Sequence, residues 1–174
     1  MSARVSAPET TADTVTPEEF AQLFRSHPAG VAIITANDGS GRPVGFTASS
    51  VISVSAAPAI LAFSMSVGSS CWEVVRQAEA LRVHFLDSSH ETLARQFATP
   101  GIDRFGGVRW SAKAEGEPRL LDVSGWARTE VLTVTSAGGS AIVVARVTHC
   151  HTRRGETPLI YWNRTYGAPA PTVA

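Results

Sequence analysis

The stretch Gly45–Met65, GFTASSVISVSAAPAILAFSM, decides the fold that we expect for this chain. We interpret it as two β-strands joined through a polar corner, Thr47-Ala48-Ser49-Ser50. From Val51 to Met65, apolar residues alternate with serines and alanines, and such alternation gives one face of a strand to a core and leaves the other face open. The corner carries three hydroxyls and no charge. It is typical of a plain strand end, but it also suits a flat ligand with polar edges.

The rest of the chain predicts many short strands with helices at their periphery. A threonine cap, a proline and two acids at Thr16-Pro17-Glu18-Glu19 form a helix start. Two further helices are predicted at Cys71–Ala80 and Glu91–Ala98, the second capped by Ser88 or Ser89. Strands are predicted at Val31–Thr35, Arg42–Ser49, Leu81–Leu86, Val108–Ala112, Ser124–Thr135, Ala141–His151 and Leu159–Trp162, with hairpin turns at Asn37–Gly41 and Ala137–Ser140. We therefore expect a mainly β fold, a closed antiparallel barrel with peripheral helices.

The composition limits the class of protein. With 174 residues the chain suits one domain, which we place at residues 16–168 between tails at 1–15 and 169–174. A formal net charge of zero gives no electrostatic footprint for nucleic acid or for an acidic membrane surface. The N-terminus has no apolar core that would make it a signal peptide, and apolar runs of about ten residues are too short to span a membrane. Two cysteines are too few for a disulfide framework, so we expect a reducing, cytoplasmic location.

Several common sites are absent from the sequence. No GxGxxG motif opens a helix after a strand and no Walker lysine loop occurs, so neither a Rossmann dinucleotide site nor a P-loop is expected. Asp87, Ser88 and His90 lie close together, but no nucleophile elbow accompanies them. In His149-Cys150-His151, placed on a strand, both histidines face one side and the cysteine faces the other. At most two metal ligands therefore converge, and no metal site is expected.

The segment Ser69-Ser70-Cys71 follows a glycine-containing loop and precedes a predicted helix. Unpaired N–H groups and the helix dipole at such a point favour an anion, although simple N-capping accounts for the same pattern. Together with the polar corner, this segment suggests a ligand that has an aromatic ring at one end and a phosphate at the other. Arg104, in the predicted loop Thr99–Gly107, either supplies a counter-charge or lies in solvent.

Taken together, these features resemble the short-chain flavin reductases that serve two-component flavin-dependent monooxygenases. The resemblance covers about Phe20–Gly167. It implies a split antiparallel β-barrel of Greek-key type, the flavin reductase/FMN-binding split-barrel fold, in a homodimer with flavin near the subunit interface. It is carried by the segments HPAGVAIIT (His27–Thr35), GFTASSVISVSAAPAILAFS (Gly45–Ser64), Ser69-Ser70-Cys71, LARQFA (Leu93–Ala98), Arg104-Phe105 and PLIYWNRTYG (Pro158–Gly167).

The resemblance also implies a function and a set of site residues. Hydride would pass from NADH or NADPH to FMN or FAD, and the reduced flavin would diffuse to a partner monooxygenase. No motif distinguishes FMN from FAD, or NADH from NADPH. The cofactor-binding residues would be Thr47, Ala48, Ser49 and Ser50 in the corner, Ser64, Met65 and Ser66 along the flavin, Ser69, Ser70 and Cys71 at the phosphate, and Arg104, Phe105, Ser140 and Tyr166 around them.

The chain departs from the family pattern at two positions. Relatives commonly carry Gly-Asp-His in the hairpin before the penultimate strand, with the histidine near the nicotinamide, whereas this chain has Gly138-Gly139-Ser140. The second departure is His84, where many relatives have asparagine. His84 either contacts flavin or points into the barrel and bonds to backbone. The missing histidine keeps a second function open, a flavin-binding carrier or sensor on the same barrel with little or no nicotinamide-dependent turnover.

Overall fold

Short strands make up most of the secondary structure in the computed structural model, which describes residues 15–112, 116–153 and 156–170. The expected tails at 1–15 and 169–174 lie outside these residues, apart from positions 15, 169 and 170. The helices are α1 (Pro17–Arg25), α2 (Trp72–Val75) and α3 (Glu91–Ala98), with a short 3₁₀ turn at Ser88–His90 before α3, and each of them is too short to cross a lipid bilayer. The strands are β1 (Ala29–Gly30), β2 (Ala32–Asn37), β3 (Pro43–Ala48), β4 (Ile52–Ala56), β5 (Ala59–Ser66), β6 (Ala80–Phe85), β7 (Trp110–Ala112), β8 (Pro118–Leu120), β9 (Gly125–Ala137), β10 (Ser140–Thr152), β11 (Ile160–Trp162) and β12 (Thr165–Gly167).

One antiparallel sheet of seven strands forms the body of the fold, in the order β3-β2-β6-β9-β10-β5-β4. Two small sheets, β1-β11-β12 and β7-β8, accompany it. The long hairpin of β9 and β10 lies at the centre, and strands from the first half of the chain pair with both of its arms. The expected mainly β, antiparallel fold is therefore confirmed.

The two edge strands of this sheet, β3 and β4, are not joined by pairing in the described part of the chain, so the closed barrel that we expected is not observed. The chain leaves β3 at Ala48, and β4 then pairs with β5 through a ladder that is irregular between Ser53 and Ser55. The sheet nevertheless curls, because Phe46 of β3 and Phe63 of β5 bring their ring centroids to 6.2 Å. The curl brings both ends of the sheet to one core.

Apolar side chains fill the space on both sides of β2. Ile34, Phe63 and Val143 belong to a cluster inside the curled sheet and are at most 1% exposed. A second cluster, outside the curl, contains Ala94 and Phe97 from the buried face of α3. Burying a side chain of this size typically stabilises a fold by about 2 kcal/mol, so α3 is held in place mainly through this face.

The stretch that we expected to be one strand after the polar corner folds as a hairpin. Pro58 has no N–H to offer a strand ladder, and the chain turns at Ala57-Pro58 between β4 and β5. β4 is largely exposed, with Ile52 and Val54 at 60% and 54% exposure, so its expected buried face is wrong. The expected burial is confirmed in β5, where Phe63 lies in the core.

The helices differ from expectation mainly at their ends. α1 is confirmed, with a full capping box at Thr16. α2 ends at Val75 and not at Ala80, because Ala80 already belongs to β6 and pairs with β9. α3 is confirmed, but the turn before it is capped by Asp87, whose carboxylate accepts a bond from the Ser89 N–H at 2.8 Å, and not by the serines that follow. Strands β8 and β12, of three residues each, were too short to show a pattern.

Candidate functional site

A pocket of about 390 Å³ lies where the end of β3, the end of β5, the last turn of α3 and the β9–β10 hairpin meet. Ten of the expected cofactor residues line it, namely Thr47, Ala48, Ser49, Ser50, Ser64, Met65, Ser66, Ser69, Arg104 and Ser140. Three lining residues were not expected: Phe46, Phe97 and Ala98. Phe97 lies on the apolar face of a predicted helix, and that periodicity indicated burial without indicating a ligand.

The hydroxyls of the polar corner mostly serve the fold. Thr47 Oγ1 donates to the Ala94 carbonyl at 2.7 Å and so ties the corner to α3. Ser50 Oγ donates to the Ser64 carbonyl at 2.9 Å and accepts from the Ser64 N–H at 3.0 Å, which ties the corner to β5. Ser49 is exposed, so its hydroxyl and the backbone around it are the polar groups open to a ligand. The corner is a rigid wall rather than a cluster of free hydroxyls.

Arg104 is fixed in the pocket wall by three acceptors. Its Nε donates to the Thr99 carbonyl at 3.0 Å, and its Nη1 donates both to the Gly45 carbonyl at 2.8 Å and to Cys71 Sγ at 3.1 Å. No described residue accepts a hydrogen bond from Nη2. Because the guanidinium is held by neutral groups, its positive charge is left for an anion in the pocket.

The helix dipole behind the Ser69-Ser70-Cys71 loop adds less to anion binding than we expected. α2 has only four residues, so few aligned peptide dipoles lie behind the loop. Ser69 Oγ accepts from the Cys71 N–H at 3.3 Å and lines the pocket, which leaves its O–H able to donate. An anion would therefore be held by Arg104 and by hydroxyl groups, with little help from a helix dipole.

Four of the expected residues do not line the pocket. Cys71 is only 2% exposed and its thiol donates to the Gly45 carbonyl behind the pocket wall. Phe105 lies behind Phe97, with ring centroids 5.0 Å apart, so it supports the wall and does not cover it. Tyr166 packs under the guanidinium of Arg95, and Ser70 is an exposed loop residue.

His84 points into the fold and not toward the pocket. Its side chain is fully buried, with Nε2 accepting from the Leu120 N–H at 3.1 Å and Nδ1 lying 3.2 Å from the Ile33 carbonyl. These two bonds suit the neutral tautomer that carries its proton on Nδ1. The pKa of His84 is lowered to about 3, mainly by burial; the bond to the Ile33 carbonyl opposes this shift, and the charges of Arg82 and Arg119 add to it. Of the two interpretations of His84, the inward residue bonded to backbone is the observed one.

The buried, neutral His84 predicts an acid-sensitive fold. The unfolded chain binds a proton below the ordinary pKa of 6.5, whereas the folded chain does so only near 3. The stabilisation is therefore complete above pH 6.5, and the free energy of unfolding should fall by about 1.4 kcal/mol per pH unit below that value. Urea unfolding between pH 7.5 and 5 measures this slope, which should be shallower in His84→Asn. Equal slopes in the two proteins would contradict the assignment.

Two other polar clusters do not line the pocket. The hydroxyls of Ser89 and Ser124 both donate to the Asp87 carboxylate, while His90 Nδ1 accepts from the Asp87 N–H at 3.3 Å. Burial alone would raise the pKa of Asp87, but the bonds from both serines outweigh it, and the pKa lies below its ordinary value. The residues at His149-Cys150-His151 are exposed, and the described residues contain no group of three potential metal ligands.

Known proteins resemble this chain along most of its length. The family model described as "Flavin reductase like domain" matches residues 24–170. The NADH:FMN oxidoreductase of Rhodococcus qingshengii is 34% identical over 158 residues, which cover 88% of this chain and 82% of that protein. The reductase component of the flavin-dependent trigonelline monooxygenase of Acinetobacter baylyi is 34% identical over 87% of this chain, which spans 49% of that longer protein. A solved structure of a flavin reductase domain protein from Arthrobacter sp. FB24 superposes with a TM-score of 0.85 and 36% identity, over 91% of this chain and 99% of that one.

Proposed function

The chain belongs to the flavin reductase-like family, and from that premise we propose that it is an NADH-dependent flavin reductase that supplies reduced flavin to a partner monooxygenase. One observation carries the proposal: ten residues that the family resemblance assigns to flavin binding, from distant parts of the chain, line one pocket. NADH is the expected donor because the Rhodococcus relative is named for it. FMN and FAD both remain candidate acceptors.

The residues of the pocket fit a flavin chemically. Met65 and the buried ring of Phe97 form the apolar wall against which a planar ring would lie, and Ser49 supplies a polar edge. Arg104 supplies the positive charge that a phosphate requires, with the hydroxyl of Ser69 beside it. An aromatic ring with polar edges joined to an anionic group therefore matches the pocket at each of its parts.

The proposed reaction requires the chain to position two cofactors and does not require it to act as an acid or a base. Bound flavin would supply the hydride acceptor, as flavins do in this chemistry. Transfer between two cofactors depends on stacked rings at the right distance, to which a rigid wall contributes. The bonds of Ser50 and Thr47 provide such rigidity. No carboxylate or imidazole lines the pocket in the described residues, in agreement with a reaction that needs neither.

The direct test is turnover of reduced nicotinamide. Purified protein is mixed with NADH or NADPH and with FMN, FAD or neither, and the loss of absorbance at the reduced-nicotinamide band is followed. A rate that depends on added flavin is expected. Tight flavin binding without turnover would instead support the carrier or sensor, and neither binding nor turnover would exclude both functions.

Ser140 lies in the pocket wall at the position where relatives commonly carry histidine. A histidine there should help to position the nicotinamide, so we expect Ser140→His to raise kcat/KM for NADH roughly two- to tenfold. Ser136→His, an exposed position on the other arm of the same hairpin that does not line the pocket, is the matched control. An unchanged rate in Ser140→His would show that the hairpin does not limit the reaction.

We propose that the protein is a homodimer that buries the outer face of the sheet at β4, β9 and β10. Large apolar residues are exposed on these strands, with Ile52 at 60%, Leu132 at 49% and Ile142 at 42%. Exposed apolar patches on a protein surface mark interaction sites. Light scattering should give twice the mass of one chain for the parent protein. The Ile142→Asp variant should have the mass of a single chain. Ile102→Asp, at an apolar loop residue that is 49% exposed, should leave the dimer intact, and a monomeric parent protein would overturn the proposal.

Cys71 and Cys150 are both free thiols, one buried and one exposed. An exposed free thiol persists most readily in a reducing compartment. We therefore place the enzyme in the cytoplasm. Fractionation of the source cells, with the thiols titrated in the absence of reductant, tests this placement.

A further inference from the structure

A second and larger groove, of about 870 Å³, adjoins the flavin pocket. The two share Ser49, Ser50 and Ser64, so they meet along one shared wall. The far end of the groove is built from the end of α1 and from the turn that joins β11 to β12. We call this space the α1 groove.

Two arginines line the α1 groove, and neither is bound to a carboxylate of a described residue. Arg25 Nη1 donates to the neutral Gln22 side chain at 3.1 Å, and Arg25 Nε is buried without a hydrogen-bond partner. Arg164 is exposed, and neither arginine forms an ion pair with a described residue. Glu18 and Glu19 line an outer recess together with both arginines, and the Glu19 carboxylate is already bound to the N–H and the hydroxyl of Thr16, each at 2.9 Å.

The backbone holds the two arginines in a defined relation. The Asn163 N–H donates to the Arg25 carbonyl at 3.0 Å and so fastens the β11–β12 turn to the end of α1. Asn163 and Arg164 have φ values of 48° and 61°, a left-handed conformation that arginine seldom adopts. The fold therefore fixes Arg164 beside Arg25 at some conformational cost, in a position that no internal carboxylate uses.

Between the arginines and the shared wall, the α1 groove is aromatic. Phe24, Tyr161 and Trp162 line it, and Trp162 is 52% exposed. Aromatic faces suit the planar rings of a nucleotide, and unneutralised guanidinium groups suit its phosphates. The order of chemistry along the groove is thus cationic at the far end, aromatic along its length and continuous with the flavin pocket at the near end.

We propose that Arg25 and Arg164 hold the phosphates of the nicotinamide dinucleotide in the α1 groove, so that its reduced ring reaches the shared wall beside the flavin. This inference rests on the proposed function and adds the residues that select the hydride donor. The shared chemistry is phosphate recognition. In NADH the only phosphate groups are those of the pyrophosphate, and NADPH also carries a 2′-phosphate.

Steady-state kinetics of Arg25→Ala, Arg164→Ala and the double variant test the proposal. Each single change should raise KM for NADH roughly tenfold, as expected for loss of a charge-assisted hydrogen bond, while KM for FMN and kcat stay close to the parent values. Added salt should raise KM for NADH in the parent protein and have less effect in the double variant. Arg109→Ala, an exposed arginine paired with Asp122 and away from both cavities, is the matched control.

Comparison of the two donors identifies the phosphate concerned. A larger rise in KM for NADPH than for NADH assigns the arginines to the 2′-phosphate. Equal rises in KM for the two donors assign them to the pyrophosphate. Unchanged KM values for both donors in an active double variant would overturn the inference and leave the reductase function standing.

Calorimetric titration of NAD⁺ into the flavin-free protein provides a readout that does not depend on turnover. Binding should weaken roughly tenfold in each single variant and remain at the parent value in Arg109→Ala. If the parent protein binds NAD⁺ but shows no flavin-dependent turnover, the proposed function fails while the assignment of the groove stands. If the parent protein turns over and the variants bind NAD⁺ equally well, only the assignment fails.

Discussion

Arg104→Ala should raise KM for FMN roughly tenfold to a hundredfold, and KM for riboflavin, which lacks the phosphate, should change little. Loss of charged hydrogen bonds costs about 1.5–3 kcal/mol, which corresponds to this range. The guanidinium is already anchored on the carbonyls of Thr99 and Gly45, so no ordering cost opposes its bond to the anion. Steady-state reduction of the two flavins by NADH measures the effect.

Riboflavin separates binding of the phosphate from support of the wall. Because Arg104 also holds Cys71 Sγ and the Gly45 carbonyl, its removal loosens the wall for any flavin. A wall effect raises KM for FMN and riboflavin by the same factor, and that outcome would contradict the phosphate assignment. KM for FMN in Arg104→Lys should lie between the values of the parent protein and of Arg104→Ala. An ammonium keeps the charge but lacks the planar guanidinium that bonds several acceptors at once.

Gly45→Ala should destabilise the protein by about 2 kcal/mol and lower its Tm by roughly 4–8 °C. A Cβ at this position would lie 2.8 Å from Phe97 Cε1 and 3.1 Å from the Ile34 carbonyl oxygen. The ring of Phe97 has little room to move, because it is fully buried and packs on Phe105. Thermal unfolding followed by circular dichroism measures the loss, and KM for FMN should rise in the same variant because Phe97 lines the pocket.

Gly167→Ala is the matched control for this change. Gly167 also lies in a strand, but a Cβ there would meet no atom within 4 Å and its φ is not positive. Its Tm should therefore equal or slightly exceed that of the parent protein, since alanine has less freedom in the unfolded chain. Equal Tm values for Gly45→Ala and the parent would show that the space beneath Phe97 is larger than the structure indicates.

Local patterns in the sequence were enough to predict most of the elements, whereas the residues of the pocket were expected from the family resemblance. The cap at Thr16, the turn glycines of the β9–β10 hairpin and the apolar face of α3 are read over a few residues, and each is observed. The hairpin at Ala57-Pro58 was missed because alternation continues on both sides of it. A proline inside an alternating stretch was the available signal.

The finer design of the site depends on partners that are distant in sequence. The Thr47 hydroxyl is used by a carbonyl of α3, and Arg104 is oriented by the Gly45 carbonyl. Neither bond has a local pattern, so the sequence alone did not show which polar groups of the corner were already bonded. Arg25 and Arg164 come from the two ends of the domain. For the same reason, no local pattern in the sequence indicated that they line one cavity.

The wall formed by Ser49, Ser50 and Ser64 has a kinetic consequence. It borders both cavities and is held by paired hydrogen bonds between Ser50 and the backbone of Ser64, so flavin and nicotinamide dinucleotide would lie along it at the same time, with their rings in contact where the cavities meet. Oxidised nicotinamide would then not have to leave before flavin enters. Double-reciprocal plots of rate against one substrate, at fixed levels of the other, should give intersecting lines, the mark of a ternary complex, and not the parallel lines of a ping-pong enzyme.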